Sequence, residues 1–517
     1  MITFEAILAL LAGAVLIAGA ANRLKVPYPA LLALAGAVLA VSPFKVPLSF
    51  EPSLVLALLV APVLVDAGYG LSYHDLRAYW LVVSCLVFFA VGLTTLAVSV
   101  IAHTLQPHLP WSAAIVLGAI VAPPDAAAAT AILKPLDAPR RISVALEGES
   151  LLNDASSLLL YRAAVAATGL SSSSGAHLLS LAPSFAVALG GSVLLGPLMA
   201  NATLWITRKL DNVESAIILQ FTNSFFVWLL ADFLKLSPVL SVVAYALTLS
   251  RCSPDCIPAR LRRPSEAVWK TAVLALNAVA FVFIGLQLRP ILAGAPKGEL
   301  LHWCGFAAAV LAAVIGVRIV WAMTYNFLCR RVWVDRGVFL PVGQRATVKG
   351  GMIISWCGMR GIVTLASALA LPRLFPDRPL LVFTAFFVTL GTLLLQGLTL
   401  RPLLLLLKVH DDLSFEEERR KARAELASAA LAALEGASEE QSQLLAPLLH
   451  AQHAEAVAEV EGRATDAYLK WAVLEKRRSR LNTMRRNRVI GDHVFHLLQE
   501  ELDHHELMLA VPEGNRA

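Results

Sequence analysis

Apolar residues in this chain are grouped into runs close to the ~20 residues that a helix needs to cross a bilayer core. Thirteen such stretches can be drawn, at roughly 4–21, 28–43, 52–70, 79–103, 112–133, 143–168, 178–206, 214–232, 237–250, 267–288, 301–328, 350–372 and 379–407. The second and ninth are short, which predicts helices that are tilted, partly re-entrant or longer or shorter than drawn. The opening MITFEAILAL has no basic region before its apolar run, so it reads as a first span rather than a cleaved signal. After about residue 410 the pattern changes to Ala, Leu, Glu and Arg without long apolar runs, and a helical tail is expected over 411–517.

Two spans are interrupted. The fifth reads LGAIVAPPDAAAATAIL, with Pro123 and Pro124 removing two backbone donors and Asp125 following at once. The twelfth reads GGMIISWCGMRGIVTLASALALP, with Gly358, Arg360 and Gly361 at mid-depth. Seven spans apart, the two run in opposite directions. This is the pattern of an inverted repeat with broken helices at corresponding places. Each break exposes half-helix ends, positive at N-termini and negative at C-termini. Asp125 suits the former. Arg360 suits a C-terminal end or a carboxylate.

The sixth span carries the densest polar group, EGESLLNDASSLLLYRAA, from Glu147 to Ala164. An ionisable side chain at the bilayer centre costs about 2.5–3.5 kcal/mol or more, so such residues usually mark an ion path or a buried pair. Glu149 and Asn153 are four apart, as are Ser150 and Asp154, and Tyr161 lies two turns beyond Asp154. Glu149, Ser150, Asn153 and Asp154 are therefore expected to form one patch facing the bundle interior. Carboxylate, hydroxyl and carbonyl oxygens suit a hard monovalent cation. Asp154 offers charge, Ser150 a hydroxyl, and the Pro123–Pro124 break free carbonyls. Asp154 also binds a proton, and competition between proton and cation for one carboxylate is the minimal device for exchange. Glu149 and Arg360 are expected to neutralise each other. Asp66 reads as structural, Glu147 as a surface-side or gating charge, and Arg162 and Arg318 as snorkelling or paired within the bundle. His103, His108, His177 and His302 fall at outer span ends.

Composition supports the membrane reading. Charged residues are 15% and hydrophobic residues 57% of 517 positions, where a soluble protein carries about a quarter charged. Residues 1–410 have a net charge of +12 and residues 411–517 of −6, giving a transmembrane domain at 1–410 and a cytoplasmic tail at 411–517. Loops after odd-numbered spans hold 18 Lys and Arg, those after even-numbered spans 6. That bias places the odd loops and the tail in the cytoplasm and the N-terminus outside. The basic balance belongs to these loops, and no nucleic-acid partner is expected. Cys252 and Cys256, in what reads as a basic loop, have too few neighbouring ligands for a metal site, so they and Cys85, Cys304, Cys329 and Cys357 are expected as free thiols. Six of twelve histidines lie in the tail, where a pH sensor is one reading and a solvated helical tail the other. Lys476–Arg488 is basic enough to touch anionic lipid.

Four motifs, APPDAAAATAIL (Ala122–Leu133), PRRISVALEGESLLNDASSLLLYR (Pro139–Arg162), LNAVAFVFIGLQL (Leu276–Leu288) and WCGMRGIVTLASALALP (Trp356–Pro372), together resemble the monovalent cation:proton antiporters of the sodium/proton exchanger type, in their bacterial branch. The resemblance covers about residues 1–410. It implies an all-α polytopic membrane protein of about thirteen transmembrane helices, an inverted repeat with two broken crossing helices, a homodimer in the plasma membrane, and alternating access. It implies electroneutral exchange of Na⁺, with Li⁺ or K⁺ as alternatives, for H⁺, with no cofactor. Asp154 resembles the carrier of cation and proton, Asn153 its partner, Ser150 a cation ligand, and Glu149 a ligand that acts directly or through water. Asp125 resembles the acid compensating the broken helix, and Arg360 the arginine tying span twelve to span six. Many members have Thr-Asp-Pro in span five, whereas this chain has Pro124-Asp125-Ala126. The hydroxyl is missing, so only the Pro124 carbonyl remains there as a ligand. An intramembrane protease would need a dyad such as Asp125 with Asp154, and a channel would conduct without counter-flux. Neither enzyme nor channel is the expectation here.

Overall fold

The computed structural model describes residues 12–408 apart from 22, 24–25, 43–55, 72–75, 77–79, 134–138, 169–177, 211, 258, 295–297 and 332–346. Beyond 408 it describes 421–422, 424–426, 428–429, 476–481, 483–484, 498–499 and 501–502. The chain divides into two compact units, Met1–His410 and Asp411–Ala517. The described residues of the second are short pieces of helix, including 476–481. The tail histidines and His177 lie outside the described residues.

The first unit is helical, with no strand among the described residues. In chain order its helices are α1 (Ala12–Ala21), α2 (Tyr28–Val41), α3 (Ala57–Gly70) and α4 (Val83–Leu105). They continue as α5 (Trp111–Val121), α6 (Ala126–Leu133), α7 (Arg140–Ala167), α8 (Leu178–Thr207), α9 (Val213–Phe233) and α10 (Pro238–Cys256). The last are α11 (Ala259–Leu286), α12 (Leu288–Ala293), α13 (Leu300–Arg331), α14 (Val348–Trp356), α15 (Ile362–Leu369) and α16 (Arg378–Leu407). Seven helical stretches, counting α5–α6 and α11–α12 each as one, are long and apolar enough to cross a membrane, and four shorter apolar helices accompany them. With α7 and the α14–α15 pair they occupy the thirteen expected places. This is a polytopic membrane protein.

Local sequence explains the helix starts. Pro29, Pro238 and Pro379 stand in first turns, where a missing N–H costs nothing. Ser237 and Thr347 accept from the N–H groups of Leu240 and Gly350 at 3.4 and 3.1 Å, opening α10 and α14. The second span stays short at 14 residues. The ninth does not: α10 runs 19 residues to Cys256. Cys252 and Cys256 therefore lie on its last turns rather than in a loop, and Arg262 and Arg263 lie on α11. The sequence reading ended the helix at the first basic residue, but a helix emerging from a membrane can continue with charged residues. All six cysteines are free.

The polarity of the unit is that of a protein in lipid. Leu194, Leu198 and Phe233 are exposed, whereas Asn153 and Gln396 are fully buried. Two large apolar cores fill the interior, beside a small third one around Leu59 and Phe283. α7 contributes to both, with Ile142 and Leu146 in the first and Val144, Ala145 and Leu151 in the second. The most polar span is thus the wall between the cores, where Glu149 and Asp154 are shielded from lipid.

Without a hydrophobic difference between lipid and protein, helices associate through close packing at small residues. α2 and α11 meet at Gly36 and Gly285. A Cβ on Gly36 would run into the Val282 carbonyl, and one on Gly285 into the backbone of Ala33, Gly36 and Ala37. Gly285→Val should therefore lower the unfolding temperature in detergent, with an overpacking cost of about 1–3 kcal/mol. Gly305→Val, at a position with open space around it, should not. A thermal-shift assay on the purified variants reads this directly.

Candidate ion-binding site

The two broken spans meet at their breaks. The Asp125 N–H donates to the Met359 carbonyl at 2.7 Å, so one backbone hydrogen bond joins the interruption 122–125 to the interruption 357–361. The contact is close enough that a Cβ on Gly361 would fall on the Asp125 carboxylate. Glycine is needed there for space.

Three of the four half-helix ends at the crossing have side-chain partners; the first turn of α15 has no side-chain cap. Asp125 Oδ1 accepts from the Ala127 N–H at 2.8 Å, and Ser150 Oγ from the Ala126 N–H at 3.1 Å. Both cap the positive end of α6. At the negative ends, arginines donate to carbonyls that have lost their helical partners. Arg360 Nε reaches the Val121 carbonyl at 2.8 Å and Nη2 the Ala122 carbonyl at 3.0 Å, and Nη1 donates to the Gly358 carbonyl. Arg318 Nε reaches the Ile354 carbonyl at 3.3 Å. At the far end of α15, Arg378 donates to the carbonyls of Leu371 at 2.9 Å and Leu369 at 3.0 Å. In lipid an unpartnered backbone group costs several kcal/mol, so the breaks exist only because these side chains fill them.

Span six does not present one patch. Ser150 and Asp154 line a cavity of about 710 Å³ together with Pro124, Asp125, Asp66 and Glu147. Glu149 and Asn153 point elsewhere and are 1% and 0% exposed. Successive positions are about 100° apart on a helix, so the two i, i+4 pairs look onto different neighbours. Asn153 Nδ2 donates to the Pro124 carbonyl at 3.1 Å, and Ser157 Oγ to the Ala119 carbonyl at 2.6 Å. Span six thereby holds span five on both sides of its break. Tyr161 packs against the first core.

The expected Glu149–Arg360 pair is not formed. Glu149 is held by Arg318 of α13, with Nη1 to Oε1 at 2.6 Å and Nη2 to Oε2 at 2.9 Å. This two-pronged geometry neutralises the carboxylate, and Glu149 is buried away from the cavity lining, which argues against it as a direct cation ligand. Arg360 is engaged with carbonyls and ties span twelve to span five rather than to span six. The signal for the true pair was in the sequence: Arg318 is the lone charge in LAAVIGVRIVWAM, so it needs a buried acid. The remaining expected residues are peripheral. Arg162 stands 3.9 Å from Asp232 with both side chains at least half exposed. His103 contacts the Leu109 carbonyl, His302 contacts Gln106, and His108 stands 3.6 Å from Asp377.

Asp154 differs from the other acids at the crossing. It is 8% exposed, on the cavity side, and no described residue donates a hydrogen bond to its carboxylate. The Ser150 hydroxyl and Pro124 carbonyl each have one lone pair engaged, in capping α6 and in holding Asn153. An oxygen acceptor has two, so each keeps one for a cation. Among the described residues no group of three or more His, Cys, Asp or Glu could hold a metal ion. The donor set is one carboxylate with neutral oxygens, which fits a weakly held monovalent cation. Removing one partner of the Glu149–Arg318 pair leaves a buried charge alone, so Glu149→Gln and Arg318→Gln should each destabilise by about 3–5 kcal/mol. Thermal unfolding of single and double variants should show strong coupling for Glu149 with Arg318 and little for Glu149 with Arg360.

The comparisons with known proteins agree with this architecture. The chain matches the family described as sodium/hydrogen exchanger, transmembrane, over residues 7–406. A relative from Mycobacterium tuberculosis, named an uncharacterized Na⁺/H⁺ exchanger, is 31% identical over 98% of this chain and 96% of its own length. A Bacillus pumilus protein named a sodium, potassium, lithium and rubidium/H⁺ antiporter is 29% identical over 73% of this chain and 58% of its own. In structure, the chain is similar to a sodium proton antiporter from Methanocaldococcus jannaschii, with a TM-score of 0.61 at 19% identity, over 78% of this chain and 99% of that one. With its broken-helix crossing and a match that spans nearly all of the helical unit, the chain belongs to the sodium/hydrogen exchanger family of membrane transporters.

Proposed function

We propose that the protein exchanges Na⁺ for H⁺ one for one across the plasma membrane, with Asp154 carrying cation and proton in turn. The observation that carries this reading is the charge at the crossing. Three carboxylates, Asp125, Glu149 and Asp154, face two guanidinium groups, Arg318 and Arg360, leaving a formal charge of −1. Asp125 serves a helix end and Glu149 serves Arg318, so the unbalanced charge resides on Asp154. One Na⁺ or one H⁺ neutralises the site, and both at once would leave an excess positive charge at mid-membrane. Each loaded state is neutral, and this supports an electroneutral cycle.

In this reading the cation is held by Asp154, the Ser150 hydroxyl and the Pro124 carbonyl, which Asn153 keeps in place. The cavity lining includes Glu147 and Asp66, near the span ends that loop charge assigns to the cytoplasm. The N-terminus is outside, the tail is cytoplasmic, and a homodimer in the bilayer is the working assembly. Potassium/proton exchange is the second reading. It is favoured by the printed names of the Bacillus relatives, which include potassium.

In proteoliposomes, Asp154→Asn should abolish cation-dependent proton flux in a trapped pH dye assay. Flux near the wild-type rate would sink the assignment. An imposed membrane potential should leave the wild-type exchange rate unchanged. A potential-dependent rate, or a conductance with a cation reversal potential, would exclude the one-for-one cycle.

A further inference from the structure

One buried polar side chain has no role in the site described so far. Gln396 of α16 is 0% exposed, and neither its Oε1 nor its Nε2 has a hydrogen-bond partner among the described residues. An amide left unsatisfied away from water is costly. The surrounding sequence, TLLLQGLTL, is otherwise suited to plain apolar packing.

The neighbours of Gln396 locate it. Four residues earlier, Thr392 Oγ1 accepts the Arg360 backbone N–H at 3.0 Å. Three residues later, Thr399 Oγ1 accepts the Trp356 indole N–H at 2.8 Å. Positions 392, 396 and 399 share one side of the helix, so Gln396 lies alongside residues 357–359, the irregular segment of span twelve. A Cβ on the adjacent Gly397 would stand 3.5 Å from the Met359 sulfur. In that segment the N–H groups of Gly358 and Met359 donate to no described backbone carbonyl. An amide with donors and an acceptor thus lies beside a backbone stretch outside the helical ladder.

We infer that Gln396 and the backbone of residues 357–359 form a buried water site, and that Gln396 is a positioning residue for the ion site. A water molecule has the required chemistry, since it accepts and donates at once and is satisfied by two to four polar partners. The consequence passes along contacts already given. The Met359 carbonyl receives the Asp125 N–H, and Arg360 holds the carbonyls of Val121 and Ala122. Fixing 357–359 therefore fixes the span-five break that contains Pro124 and Asp125. This inference rests on the reading of Asp154, Ser150 and Pro124 as the ion site.

X-ray radiolytic labelling of the intact protein tests the water separately from transport, because hydroxyl radicals form from bound water and oxidise nearby methionine sulfur. Met359 is 0% exposed, yet it should be labelled in the wild type. Labelling should fall severalfold in Gln396→Leu, while the exposed Met352 serves as control. In transport, Gln396→Leu should raise the apparent KM for Na⁺ severalfold at a nearly unchanged maximal rate, and Gln396→Asn should recover part of the loss. Absence of labelling at Met359 in the wild type, or equal labelling in Gln396→Leu, overturns the water site. A Gln396→Leu protein with unchanged KM overturns the positioning role, because a purely structural orphan tolerates an apolar replacement of similar size. Persistence of flux in Asp154→Asn would instead remove the ion-site reading and leave the labelling result standing.

Discussion

A broken helix inside a bilayer exposes carbonyl and N–H groups that water cannot reach, and the need to satisfy them organises this protein. The crossing of spans five and twelve would otherwise expose several such groups within a few ångströms. Arg360, Arg318, Asp125, Ser150 and Asn153 each meet at least one of them. The result is a rigid knot at mid-membrane made from groups that are individually unfavourable there. Its stability comes from mutual completion, since each charge is tolerated only because a helix end or an opposite charge stands beside it.

The same constraint leaves one carboxylate at the crossing uncommitted. Once Glu149 is clasped by Arg318 and Asp125 is committed to α6, Asp154 is the carboxylate at the crossing that has neither a described hydrogen-bond donor nor a salt bridge. It faces the cavity, and its neighbours are neutral oxygens already oriented by other bonds. A site assembled in this way offers one carboxylate beside neutral oxygens, and in the proposed cycle cation and proton take that place in turn. The Pro124 carbonyl and the Ser150 hydroxyl are both anchored by second partners, the Asn153 amide and the Ala126 N–H.

The knot also depends on span six being shielded from lipid. α7 is too polar to face hydrocarbon, and the fold places it between two apolar cores built from the other helices. Tight seams such as Gly36 against Gly285 bring those helices close. Small residues at the periphery and large charged residues at the centre are therefore two parts of one arrangement.

The sequence by itself determined the number and order of the membrane helices, because hydropathy over twenty residues responds to a single variable, the thickness of the bilayer. It determined the two breaks as well, since consecutive prolines and clustered glycines act locally on the backbone. It singled out Asp154, Asn153, Ser150, Asp125 and Arg360 because polar groups in lipid are rare enough to stand out. Only the tertiary structure decided their partners. Arg318 and Arg360 are both arginines at mid-span, and which of them takes Glu149 depends on how helices rotate about their axes, which hydropathy does not encode. The division of Glu149 and Asn153 from Ser150 and Asp154 arose in the same way, from neighbours on different sides of one helix. The length of α10 was missed because a charge can end a hydrophobic run without ending a helix.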